Sequence, residues 1–156
     1  MSLNPLQLLI KTRLAAMAYF LTPTVVPIFT EDSGDLENKI LTKLGTLGCG
    51  VAVTVLIPSG RHCDPRKGAP TNLLLEPEIT VTENSIINRD ATGAQKPAYT
   101  AIREIIKHAV DGGLQGWCPG EPFTRMEFIE YQADSGTVKG QNLIIYSAKF
   151  EVKELL

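Results

Sequence analysis

The stretch VAVTVLI, residues 51–57, is apolar at every position except Thr54 and is dominated by β-branched side chains. A strand with that pattern has both faces buried, so it belongs inside a sheet and not at its rim. Its boundaries are marked by Gly48 and Gly50 before it and Pro58 after it. The glycines also end a helix predicted over residues 34–47. Ser33 is its N-cap, Leu36, Ile40, Leu44 and Leu47 form its apolar face, and Glu37 in the first turn suits the positive end of the dipole.

Downstream of residue 58 the segment 59–72 holds Gly60, Arg61, Pro65, Arg66, Lys67, Gly68 and Pro70 and has neither helical nor strand periodicity. It reads as a long polar loop, and loops of that length usually carry function or move. Residues 73–84 then alternate, with Leu73, Leu75, Ile79 and Val81 on one side and Glu76, Glu78, Thr80 and Thr82 on the other. That predicts a half-exposed strand, with Pro77 as a bend or unpaired position. A polar connection, 88–96, leads to a helix that starts at Pro97 and stops at Gly112–Gly113. Its buried stripe is Ala98, Ala101, Ile102, Ile105, Ile106, Ala109 and Val110.

The two ends complete the pattern. Residues 4–18 carry Leu6, Leu9, Ile10, Leu14 and Met17 at three- and four-residue spacing behind Pro5, which suits a first helical position. Pro23 and Pro27 limit residues 24–30 to an edge strand. At the other end, 123–133 and 142–153 form a β-hairpin with Ile144, Tyr146, Ala148, Phe150 and Val152 on one face, joined by a polar connection over 134–141 that contains Lys139. The predicted order is α-β-α-β-β-α-β-β in a single domain, residues 1–156. Adjacent strand pairs imply an α+β fold, with a mixed, mostly antiparallel sheet and helices packed on one face.

Composition narrows the function. With 156 residues, 44% hydrophobic and 21% charged, the chain has the make-up of one globular domain. A net charge of −2 gives no general field for nucleic acid or an anionic membrane. Cys49, Cys63 and Cys118 are an odd, sparse set, expected as free thiols inside a cell. Lys11 and Arg13 interrupt the apolar N-terminal run, so neither a signal peptide nor a membrane span is expected there.

The search for chemistry yields no motif. No G-x-S-x-G elbow surrounds Ser59 or Ser135, and no C-x-x-C or H-x-x-x-H spacing links His62, Cys63, Asp64, His108 and Cys118. The glycines at 45, 48 and 50 precede a strand, the wrong order for a dinucleotide loop, and the segment 90–96 lacks a G-K-[ST] ending. Glu76/Glu78 and Glu127/Glu130 lie on strands, the first pair on the outward face. No catalytic, cofactor or metal residue is therefore assigned. Arg61, Arg66 and Lys67 form a small basic loop without an aromatic beside it, which fits a solvated loop better than a nucleic-acid contact. Trp117, between Gly116 and Cys118, is a core plug or an oligomer contact. Two other functions stay open: a small enzyme or metal protein using His62, Cys63 and Asp64, and an adaptor binding a peptide at an edge strand near Pro27 or Pro77.

The leading helix 4–18, the central strand 51–57, the strand 73–84, the polar lead at Asn88–Arg89 into the helix from Pro97, and the closing hairpin together resemble tail-terminator and tail-completion proteins of tailed bacteriophages and prophages. The resemblance is one of layout over most of the chain, and the helix 34–47 and segment 59–72 depart from the simplest members. It implies a non-enzymatic virion protein, made in the host cytoplasm, that forms a homo-oligomeric ring, a hexamer being one candidate size. The ring would meet the tail tube on one face and head-completion proteins on the other. Arg61, Arg66, Lys67, Trp117 and Lys139 are the residues then expected at subunit or partner contacts.

Overall fold

The computed structural model describes residues 4–22, 24–31, 35–62 and 72–156. Among these the chain forms helices α1 (Pro5–Ala15) and α2 (Ala18–Leu21), strand β1 (Ile28–Phe29), helix α3 (Leu36–Leu44) and strands β2 (Val51–Leu56), β3 (Gly60–His62), β4 (Asn72–Leu75) and β5 (Glu78–Asn84). Then come α4 (Ser85–Asn88), α5 (Ala98–Ile106), β6 (Glu127–Val138) and β7 (Gln141–Leu155). The class is α+β, and the sheet is antiparallel except where β1 runs parallel to β2. No helix among the described residues is long and apolar enough to cross a membrane.

β4 and β5 are two parts of one line of chain. Asn72 lies opposite Leu155, Leu75 opposite Val152, Glu78 opposite Lys149 and Asn84 opposite Leu143, so the register against β7 does not slip across Glu76–Pro77. The Pro77 carbonyl still accepts from Phe150 N–H at 2.9 Å, which holds the interruption in place although proline cannot donate. β2 and β3 follow this line on its other side, and the central position expected for residues 51–57 holds for Val51–Leu56. β6 covers the remaining side of β7.

The alternation then assigns the faces. Val51, Val53, Val55, Ile79, Val81, Ala148, Phe150 and Val152 point to one side and pack against Leu6, Ile10 and Leu14 of α1 and Ala98, Ala101, Ile102 and Ile105 of α5. Ala52 and Leu143 point the other way and meet Leu41 and Leu44 of α3 in a second, smaller cluster. The helices are thus divided between the faces and not gathered on one. The reason is in β2 itself: a strand apolar on both faces needs cover on both.

Several element ends differ from the sequence reading: the first helix stops at Ala15, the first strand is Ile28–Phe29, and the N-cap of α3 is Asp35 and not Ser33. α3 stops at Gly45, which leaves Leu47 83% exposed outside its apolar face. α5 ends at Ile106 because Lys107 is extended, and a 3-10 turn at Ala109–Asp111 turns Val110 out to 86% exposure. The polar segment 134–141 is not a loop. β6 and β7 run through it to a two-residue turn, in which Lys139 (φ 49°) and Gly140 (φ 80°) both take the left-handed conformation of a type I′ hairpin. Likewise, part of the expected loop 59–72 is strand: Gly60–His62 pairs with residues 73–75.

Phe150 is fully buried at the centre of the main core, whereas Val110 has no core contact. Phe150→Ala is therefore expected to cost about 3–5 kcal/mol and Val110→Ala under about 0.5 kcal/mol, measured by urea unfolding.

Candidate interaction surface

The residues assigned to contacts from sequence do not converge. Arg61 lies on β3, exposed, with its guanidinium 3.5 Å from Glu76 and 3.7 Å from Glu151. Glu76 also accepts from Ser59 Oγ at 2.9 Å and from Lys149 Nζ at 3.0 Å, and these two hydrogen bonds hold its carboxyl below the ordinary glutamate range. Lys139 sits at the hairpin turn, where its ammonium donates to Asn38 Oδ1 at 2.7 Å and ties the ribbon to α3. Arg61 faces Leu74, and through it Lys153, so about 40 Å of β7, at roughly 3.4 Å per residue, separates it from Lys139. Trp117 is half-buried against the main core under the Arg13 guanidinium, 5.6 Å from the ring centre. Part of the ring faces the core and part stays exposed. Arg66, Lys67, Cys63 and Asp64 lie outside the described residues.

The chemistry-bearing residues are equally dispersed. Cys49 is buried, with its thiol 3.4 Å from the Val51 carbonyl, and Cys118 is exposed. His108 uses Nδ1 to accept from Val110 N–H at 3.1 Å, capping the 3-10 turn. Among the described residues no three of His, Cys, Asp or Glu come together as a metal site would require.

One polar cluster is tightly built, and no motif or spacing in the chain announces it. Glu83 faces the helix layer at the end of β5 and is fully buried. Its carboxylate accepts from Arg89 at 2.7 and 3.3 Å, from Ala98 N–H at 3.1 Å and from Asn88 Nδ2. Asn88 in turn bonds the Lys96 backbone in both directions, at 2.8 and 3.1 Å. Lys96 then crosses the core surface to the Thr22 carbonyl (2.9 Å), with its ammonium 4.2 Å from the centre of the Tyr19 ring. Burial pushes the Lys96 ammonium down; burial, with Glu104 and Glu83 adding to it, pushes the Tyr19 phenol up to about 12. Every polar group here is spent on joining β5 to α5 and α2. The cluster is a structural knot, not an open site.

The surface that stands apart is the β6–β7 ribbon. From Ile129 to Thr137, β6 is exposed on both of its faces. The hairpin register directs the backbone of Glu130, Gln132, Asp134, Gly136 and Val138 toward β7, and that of Tyr131, Ala133, Ser135 and Thr137 outward. Only the start of the strand is covered on its outer side, where Phe128 N–H donates to Gln115 Oε1. Beyond it, the described residues offer no other element to the outer backbone; Ser135 N–H is accepted by its neighbour Asp134 at 2.7 Å. On the helix side the edge carries Tyr131, 6.2 Å from Tyr146, which is 5.7 Å from Tyr99. On the opposite side lie the carboxylates Glu127, Glu130 and Asp134. An unpaired edge with an aromatic strip on one face can add a strand.

No family model matches the chain, and no curated protein matches it in sequence.

The knot has a pH signature. Although burial opposes ionisation, the bonds from Arg89, Asn88 and the Ala98 N–H hold the folded Glu83 carboxyl below its usual value of 4.5. The unfolded chain then binds the proton more readily, so the stability is present above about pH 4.5 and is lost as pH falls through the folded value. Glu83→Ala is expected to cost about 3 kcal/mol at pH 7, toward the low end for a broken buried pair because Arg89 is half-exposed. Denaturant titrations from pH 7 to 3 check both effects: the variant's deficit should shrink on acidification.

Proposed function

We propose that this protein is a non-enzymatic assembly protein whose copies join edge to edge into a ring. The observation that carries the reading is the outer edge of β6, nine residues long and exposed on both faces among the described residues. Only the β6 half of this hairpin is exposed, yet from Glu130 to the turn it pairs with β7 at every residue. Natural sheets shorten, twist or cover such edges unless they are used. On the sequence resemblance, the ring is a tail terminator or tail-completion ring between the tail tube and the head-completion proteins of a phage or prophage virion. The net charge of −2 and the dispersal of histidine, cysteine and carboxylate side chains among the described residues suit a building block better than a reaction centre.

A ring needs a heterologous contact, in which one patch meets a different patch on the next copy. Size-exclusion chromatography with light scattering over a concentration series, with negative-stain imaging of the largest species, tests this reading. A closed oligomer of uniform size is expected. A strict monomer at every concentration overturns it.

The edge itself is tested by proline. Ala133 directs its N–H outward, so Ala133→Pro removes one donor from the free edge and leaves the ladder to β7 intact. Association is expected to weaken at least tenfold with melting lowered by only a few degrees. Gln132→Pro removes an inward N–H and is expected to destabilise the fold itself by about 3 kcal/mol. Equal loss of association in a correctly folded Ala133→Pro and in wild type diluted to the same extent, with no difference between them, would show that the edge is not used.

A further inference from the structure

We infer that the aromatic side of the β6 edge of one copy packs against the outward face of α1 in the next. The inference rests on the ring reading and supplies the second patch that a heterologous contact requires.

Helix α1 is apolar beyond the face it turns to the core. Leu6, Ile10 and Leu14 are buried, as the inner stripe of a packed helix should be. The opposite face holds Pro5, Leu8, Thr12 and Ala15, all exposed and none charged, and Ala16 continues it at the C-cap. Leu8 is 54% exposed, and the chain beyond α2 adds Val25 at 65%. Helix α5, on the same side of the sheet, marks the contrast: Arg103, and Lys107 at its C-cap, stand on its exposed side. A helix apolar on all sides belongs in an interior, so the outward face of α1 calls for cover.

The β6 edge offers the matching surface. Its Tyr131 ring leads through Tyr146 to Tyr99, and Tyr131 and Tyr99 both stay about half exposed. Tyrosines give large contact area for few rotatable bonds, which is why they recur at the centres of interfaces. The charges agree as well. β6 carries Glu127, Glu130 and Asp134 and no base, whereas α1 carries Lys11 and Arg13 and no acid. Opposite signs of this kind steer encounter and choose the partner.

Both surfaces lie on the helix side of the sheet, at its two flanks. α1 rests over β1 and β2, α5 over β5 and β7, and β6 lies outside them. Four interstrand spacings of about 4.8 Å separate β6 from β1, so within one molecule the two surfaces stand apart with α5 between them. Copies joined flank to flank bring the tyrosines of one to Leu8 of the next. Cover by a helix is also a standard protection for an unpaired strand.

A charge exchange on the full chain tests the pairing. One variant carries Leu8→Glu, which sets a like charge before the acidic edge, and the other carries Tyr131→Lys. Val110→Glu, at an exposed apolar position outside both surfaces, controls for net charge. All three positions are exposed, and circular dichroism verifies folding. In light scattering, Leu8→Glu and Tyr131→Lys are each expected to associate at least tenfold more weakly than wild type, and Val110→Glu to match it. An equimolar mixture of the first two is expected to recover association, since each contact then joins two native patches or the two introduced charges. Wild-type association of Leu8→Glu, equal weakening by Val110→Glu, or a mixture that recovers nothing overturns the inference and leaves the ring reading standing. Wild type that stays monomeric at every concentration overturns both.

Discussion

The fifteen residues of β7 have partners on both sides for nearly their whole length, and this double pairing is the constraint from which the rest of the structure follows. A strand in that position exposes no backbone, so its side chains decide what covers the sheet. Ala148, Phe150 and Val152 on one face call for an apolar layer, which α1 and α5 supply. Leu143, at the other end and on the other face, calls for α3. The break at Glu76–Pro77 is tolerated because β7 holds one register on either side of it. Proline there removes a donor, but only one, from a ladder long enough to remain aligned.

The second constraint is the knot at Glu83. A carboxylate with no exposure is expensive to bury, and its cost is offset only when its oxygens are fully hydrogen-bonded. Four donors meet it here, three of them from Asn88 and Arg89 in the segment that joins β5 to α5. That segment packs so closely that a Cβ on Gly93 would collide with the carbonyls of residues 87 and 88, and one on Gly50, at φ 87°, with the Asn88 backbone. Helix α5 is thereby fixed over the sheet at its N-terminus while its other end dissolves into a 3-10 turn.

The elements that sequence made legible are those whose period meets a buried face. Residues 51–56, 78–84 and 144–152 alternate or run apolar because the core selects them, and they are strands where the alternation predicts them. The tip of the ribbon was illegible for the converse reason. Residues 134–137 have water on both faces, so no period is imposed on them, and polar residues in strand look like polar residues in loop. Lys139–Gly140 carries a turn that Asn-Gly would have announced more loudly. The knot was hidden too, since Glu83, Asn88 and Lys96 are residue types that usually face water, and only their packing shows otherwise. Among the candidate contacts, Trp117 is partly buried against the main core, as a large aromatic in a glycine- and proline-rich stretch needs apolar cover. Arg61 and Lys139 were legible as exposed cations but not as members of separate networks.

A free strand edge is a hazard as well as a tool, and β6 shows how the two are reconciled. Its acid groups lie on one face at 127, 130 and 134, so a neighbour's identical edge, brought up antiparallel about Asp134, would set carboxylate against carboxylate. Asp134 also occupies the outward N–H of Ser135, which a pairing strand must displace. Both features penalise indiscriminate pairing of β6 with itself.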